Sequence, residues 1–325
     1  MKIKDIGGEF ALIKQLDAII STAHTDLVVG VGDDAAVIRT APEPAPYLLV
    51  TTDMLVEESH FRRDWATPEQ IGFKAAQCNL SDIAAMGGTP TWMFISLALT
   101  AEIDVEWIQG VYEGISDACQ RHGVVVAGGD TVSGAVNSIS ITLLGSVPVH
   151  DLCLRSHARI GDLLMVTGPL GASAAALQLL RAKNKPGAYL LEKHLTPTCR
   201  LDVSGRLAPL AHAMIDISDG LGSEVHHICR QSAVGARIVA ASIPIHDTVL
   251  AAARDLERDP LHFALSGGED FELLFSIAPD KVEKLEQAGL NCHPVGQIVP
   301  ASEGIVLMAP GGGCTPLPGG YAHFT

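Results

Sequence analysis

The sequence predicts an α+β domain followed by an α/β domain, and three observations lead there. The chain has 325 residues, more than one hydrophobic core usually carries. It is 47% hydrophobic and only 18% charged, the composition of a well-buried globular protein. Its apolar runs group as strands with two interposed helices in the first half, then alternate regularly between helix and strand in the second.

In order, Glu9–Ile20 reads as a short amphipathic helix, and Leu27–Val31, Ala35–Ile38 and Tyr47–Thr51 read as strands. Thr67-Pro68 opens a long helix through Met86, with Thr67 as N-cap, Pro68 in the first turn and Gly87-Gly88 as the stop. Strands at Trp92–Leu99, Val124–Ala127 and Ile139–Val147 bracket a helix at Val105–Arg121. The result is a mixed sheet with helices on one side. Polar and basic residues near Val149–Arg159 interrupt the pattern, so the boundary is set there, giving domains 1–150 and 151–325. Beyond it come strand Leu163–Thr167, helices Ala172–Arg181 and Cys199–His212, strand Met214–Ile217, helix Leu221–Gln231, strand Arg237–Ala240, helix Thr248–Leu256, strand Phe271–Ile277 and helix Lys281–Ala288. Short strands near Val295–Ile298 and Ile305–Met308 lead into a Gly/Pro-rich tail, Pro310–Gly320.

A formal net charge of −15 argues against nucleic acid and anionic membranes, which demand basic surface. An acidic protein that binds phosphates requires cations as intermediaries. Seven dispersed cysteines without a Cys-x-x-Cys pair indicate reduced thiols. No signal core and no spanning apolar stretch is present, so a cytoplasmic protein is expected.

Six acidic signatures fall where apolar runs stop: Gly32-Asp33-Asp34, Thr51-Thr52-Asp53, Asn79-Leu80-Ser81-Asp82, Gly128-Gly129-Asp130-Thr131, Asp216-Ile217-Ser218-Asp219-Gly220 and Gly267-Gly268-Glu269-Asp270. A lone Gly-Asp marks a turn in any protein, but six at the ends of buried segments suggest a site assembled in pieces. Carboxylates and hydroxyls without converging His or Cys are hard donors that select Mg²⁺. Gly30-Val31-Gly32-Asp33-Asp34-Ala35 imitates a dinucleotide fingerprint, but that fingerprint needs a helix next, and Ala36-Val37-Ile38 continues as a strand. There is no P-loop, and no kinase-type His-Arg-Asp and Asp-Phe-Gly set. His226, His227 and Cys229 share one helix without a second spaced pair, so zinc is not indicated.

These segments together resemble the thiamine-monophosphate kinases, within the superfamily of aminoimidazole ribonucleotide synthetase. The most specific are Gly7-Gly8-Glu9-Phe10, Thr51-Thr52-Asp53-Met54 with His60-Phe61, Asn79-Leu80-Ser81-Asp82-Ile83-Ala84-Ala85-Met86-Gly87, Gly128-Gly129-Asp130-Thr131, Asp216-Ile217-Ser218-Asp219-Gly220-Leu221, Ser266-Gly267-Gly268-Glu269-Asp270-Phe271-Glu272-Leu273 and Gly320-Tyr321. The resemblance implies that Asp34, Thr51, Thr52, Asp53, Asp82, Asp130, Asp216 and Asp219 hold several Mg²⁺ ions along the phosphates of ATP. It implies nucleotide contacts from Gly129, Asp130, Arg155 and Ser218, and thiamine monophosphate contacts from His60, Glu269 and Tyr321. It also implies a homodimer joined through the N-terminal sheets, with ATP in the interdomain cleft. No residue is expected to act as general base. Two alternatives stay open: another ATP-dependent enzyme of the superfamily, and a non-catalytic Mg²⁺-nucleotide binder. Against the selenophosphate and carbamoyl-dehydrating members stand the position of the first cysteine, Cys78, and the ending His323-Phe324-Thr325.

Overall fold

The computed structural model describes residues 9–20 and 24–321. The Gly7-Gly8 part of the opening motif and the ending His323-Phe324-Thr325 lie outside the described residues. The first half runs α1 (Glu9–Ile20), β1 (Leu27–Val29), β2 (Ala36–Ile38), β3 (Tyr47–Val56), α2 (Pro68–Ala85), β4 (Thr89–Leu99), α3 (Val105–His122), β5 (Val125–Ser133) and β6 (Ser138–Val147). Among the described residues the strands form one six-stranded mixed sheet, β1-β2-β3-β6-β4-β5, in which only β4 and β5 are parallel. Alternation assigns its two faces. Met93, Ile95 and Leu97 of β4 are buried beneath α2 and α3, whereas Trp92, Phe94 and Ser96 are exposed on the other face.

The long helix starts at the predicted N-cap, Thr67, and the structure adds a capping box there. The Thr67 N–H donates to Gln70 Oε1 at 3.0 Å, and the Gln70 N–H donates to Thr67 Oγ1 at 3.4 Å, satisfying two otherwise orphaned donors. Gly87, at φ 72°, follows the C-cap, where a Cβ would be strained. α2 is buried on nearly every side because it serves three neighbours. It lies on the sheet and against α3, where a Cβ on Gly72 would come 1.9 Å from the Val111 carbonyl oxygen, and one on Gly114 the same distance from that of Glu69. Its C-terminal end reaches into the second half, where Ser204 Oγ donates to the Ala84 carbonyl at 2.5 Å.

The second half contains β7 (Leu163–Val166), α4 (Ala172–Arg181), α5 (Ala188–Leu195), α6 (Leu201–Leu207), β8 (Ala213–Asp216), α7 (Leu221–Ser232), β9 (Gly235–Val239), α8 (Asp247–Asp255), α9 (Pro260–Ser266), β10 (Leu273–Ile277), α10 (Val282–Gln287), β11 (His293–Val299), β12 (Ile305–Met308) and β13 (Cys314–Pro316). These strands form a seven-stranded sheet, β13-β12-β9-β11-β7-β10-β8, among the described residues. Helix–strand alternation suggests parallel crossovers, yet only β12 and β9 pair in parallel and the sheet is mixed. The Pro310–Gly320 tail contains a strand, since Cys314–Pro316 pairs with β12. Helix formation at Cys199–His212 is confined to α6, whose chain leaves the helix at Ala208. No helix among the described residues is long and apolar enough to cross a membrane.

Candidate active site

The acidic signatures sit where the two halves meet. Asp34 follows the turn after β1, Asp82 lies in the last turn of α2, and Asp216 ends β8. One carboxylate oxygen from each falls within 4.8 Å of the others. α2 explains how positions so distant in sequence meet, because its C-terminal end is clamped to the second half. Ser81 Oγ donates to Asp216 Oδ2 at 2.6 Å, and Thr51 of β3 donates its hydroxyl to Asp82. The side chain of Asp53 faces the same side of β3 as Thr51, and Thr52 points to the open face.

Charge crowding is visible in the protonation behaviour. Burial, then the neighbouring Asp53, Asp216 and Asp34 charges, push the Asp82 carboxyl well above the usual range. Burial and Asp34 raise Asp216 to about 8, and the same two causes raise Asp53 to about 6. Asp33 rises to about 6 through burial and the Asp34 charge. Among the described residues the counter-charge drawn into this group is Arg155, which bonds Asp34 through its guanidinium and donates its backbone N–H to Asp33 Oδ2 at 3.2 Å. Asp34 Oδ2 is buried with no hydrogen-bond partner among the described residues. Three buried or half-buried carboxylates, one of them with an orphaned oxygen, and a hydroxyl, all hard donors, fit a divalent cation such as Mg²⁺.

A cleft of about 770 Å³ opens beside this group. Thr52, Asp53, His60, Ser218, Asp219, Glu269 and Tyr321 all border it. Two tight loops fix its floor: the Glu269 N–H donates to the Ser218 carbonyl at 2.7 Å, and the Tyr321 N–H to that of Asp219 at 2.8 Å. Gly268, Glu269 and Phe271 take φ of 75°, 57° and 50°, so two residues with a Cβ hold left-handed backbone there. Such conformations cost on the order of 1–3 kcal/mol each and concentrate where a side chain must be aimed. His60 is positioned by the Val56 N–H, which donates to its Nδ1 at 3.0 Å.

Gly129 and Asp130 are placed apart from the other residues. They lie on β5, the edge strand, exposed along its length in the single chain. Pairing aligns Asp53, Ile141, Ile95 and Gly129 across four strands, so Gly129 is three interstrand spacings, about 14 Å, from Asp53. Asp130 aligns with Ser96 of the open face, and its Oδ1 accepts the Thr131 N–H at 2.8 Å. Sequence reasoning did not single out Lys74, Ser173 and His194, which border the cleft together with Glu269. Their one signal was a lysine within the otherwise apolar stretch Ile71–Ala76 of α2.

Two sheets joined by an acidic cleft define the class. Residues 32–147 match the family model for the AIR synthase related protein N-terminal domain, and residues 159–308 match its C-terminal domain. Curated relatives include the thiamine-monophosphate kinases of Escherichia coli K12, 36% identical with 98% of each chain covered, and of Bacillus subtilis, 37% identical over 85% of this chain and 86% of that one. A solved structure described as AaThiL complexed with AMPPCP and TMP superposes with a TM-score of 0.88 at 31% identity, covering 100% of this chain and 99% of that one. The chain belongs to the thiamine-monophosphate kinase family.

Proposed function

We propose that the cleft binds ATP and thiamine monophosphate and transfers the γ-phosphoryl group in line to the acceptor's phosphate, giving thiamine diphosphate and ADP. The observation that carries this reading is the convergence of Asp34, Asp82 and Asp216 beside a cleft of about 770 Å³, in a chain closely similar to one solved with AMPPCP and TMP. The acceptor oxygen needs no general base, because a phosphomonoester loses its second proton near pH ~6. The obstacle is electrostatic. Two unit charges 4 Å apart repel by about 4 kcal/mol at an effective dielectric near 20, and each reactant carries more than one.

Asp34, Asp53, Asp82 and Asp216, with the Thr51 hydroxyl, would hold Mg²⁺, and Thr52 and Asp219 extend the donor set along the cleft. Bound there, Mg²⁺ supplies the charge neutralisation that lets two phosphates approach. Arg155 and Ser218 take nucleotide contacts, while His60, Glu269 and Tyr321 receive the acceptor. Residues 1–150 form the ATP, metal and dimerisation domain, and residues 151–325 complete the cleft. The open sheet face supports a homodimer, since Met54, Trp92, Phe94 and Val132 are exposed on the strands of one sheet. Gly129 and Asp130, on the edge of that sheet, join the site only in the complete assembly. The setting is the cytoplasm, where MgATP is plentiful and seven free thiols remain reduced.

Measuring ADP release with and without thiamine monophosphate tests the reaction directly. Thiamine monophosphate-dependent release is expected from the wild type, and its loss from folded Asp53→Asn and Asp130→Asn variants. An ADP rate indifferent to the acceptor would refute the assignment.

A further inference from the structure

At the end of the cleft away from the acidic trio, a lysine is buried inside a helix. Lys74 lies on α2, and only 5% of its side chain is exposed. A buried ammonium is tolerated only when paired. Its partner is Glu269, whose Oε2 accepts from Lys74 Nζ at 2.7 Å. The same oxygen accepts from Ser173 Oγ at 3.3 Å and lies 3.5 Å from His194 Nδ1, while Ser173 Oγ and His194 Nδ1 are 2.9 Å apart. All three contacts converge on Oε2, leaving Oε1 uncommitted by this group. Glu269 is also its most open member, 29% exposed against 5% for Lys74 and 7% for His194.

We propose that Lys74, with Ser173 and His194 behind it, is the positioning residue of the acceptor pocket: it locks Oε2 inward so that Oε1 faces the cleft as the counter-ion of a cationic heteroaromatic ring. This rests on the kinase reading above and assigns the part of the site that selects the acceptor. Protonation favours the arrangement. Burial would raise the Glu269 carboxyl, but the charge and hydrogen bond of the Lys74 ammonium outweigh it and hold it below its ordinary value. Burial and the Lys74 charge lower His194 to about 4, so its ring is neutral and adds no second cation. The left-handed backbone at Glu269 aims the carboxylate from the loop side. Because Asp82 follows Lys74 by eight residues on one helix, the backbone positions that anchor the acidic trio and the lysine are held about 12 Å apart along one rigid rod.

The test is calorimetric binding of thiamine monophosphate, without nucleotide, and steady-state kinetics for wild type, Lys74→Met, Lys74→Arg, Glu269→Gln and the Lys74→Met/Glu269→Gln double variant. Lys74→Met is expected to weaken thiamine monophosphate binding at least tenfold and to raise its KM similarly, with the ATP KM within about twofold. Lys74→Arg keeps the charge and recovers part of the loss. The double variant is expected to lose little beyond Glu269→Gln alone, because the lysine acts through the glutamate. Unchanged acceptor affinity in folded Lys74→Met, additive losses, or parallel losses for both substrates would overturn the positioning role while leaving the kinase reading intact. If Lys74→Met does not fold, Lys74→Arg and Glu269→Gln decide the matter: wild-type acceptor affinity in both overturns the proposal. Failure of the wild type to bind thiamine monophosphate would overturn both readings.

Discussion

Replacing Asp82 by Asn separates the demands of folding from those of the site. At an effective dielectric near 20, two ionised carboxylates 4.8 Å apart repel by about 3.5 kcal/mol, and Asp82 has two such neighbours. The metal-free protein avoids the full repulsion in two ways. Arg155 pairs with Asp34, and the elevated proton affinities of Asp82 and Asp216 keep protons in the group at neutral pH. Asn reproduces the shape and charge of a protonated Asp, and its carbonyl still accepts from Thr51. In EDTA the variant should therefore match or exceed the wild type, by no more than about 1 kcal/mol after those two compensations. With divalent cation and an ATP analogue at 100 times the dissociation constant, the wild type gains about 2.7 kcal/mol, a rise of several degrees in unfolding midpoint, and the variant gains little. Scanning calorimetry with and without Mg²⁺ and the analogue measures both effects. A loss of more than about 2 kcal/mol for Asp82→Asn in EDTA, or a retained wild-type ligand shift, would remove Asp82 from a charge-crowded metal group.

Three further outcomes are expected. The folded protein binds the Asp216 proton more tightly than the unfolded chain, at about 8 against 3.8. This contribution is therefore complete below about pH 4 and drains away as pH rises through 8, so urea denaturation in EDTA between pH 6 and 9 should show a stability decline in wild type that Asp216→Asn flattens. Parallel slopes would remove Asp216 from the group. Tyr321→Ala should raise the thiamine monophosphate KM far more than that of ATP, and an unchanged ratio would place Tyr321 outside the acceptor pocket. Gly72→Ala puts a Cβ 1.9 Å from the Val111 carbonyl oxygen and should cost about 3 kcal/mol or more by forcing α2 and α3 apart, read from a denaturation midpoint. A wild-type midpoint would show that the helices yield freely.

Legibility followed the locality of the signal. Thr67, Pro68 and Gln70 carry their instruction within four residues, so the start of α2 was readable. α5 was not, since its N-cap is Gly187 without a side-chain cap, and α9 is only seven residues long. β3 and β5 run through Thr51-Thr52-Asp53 and Gly128-Gly129-Asp130, polar segments that resemble strand ends. Pairing with neighbours supplies what their own residues do not. In the site, carboxylates beside glycines identified themselves by type. Lys74, Ser173 and His194 have no motif in common, and their role becomes visible only when α2, α4 and α5 bring them to one oxygen of Glu269.

The shared helix α2 limits how modular this molecule can be. Its Ala84 and Ala85 belong to the hydrophobic cluster of the second sheet, while Ile71 and Leu80 belong to that of the first. A chimera that joined one relative's leading half to another's trailing half would have to match both surfaces of that rod at once. Asp34 and Asp82 would also come from one parent and Asp216 from the other. Recombination within such a family should therefore succeed only between parents whose residues around this helix already agree.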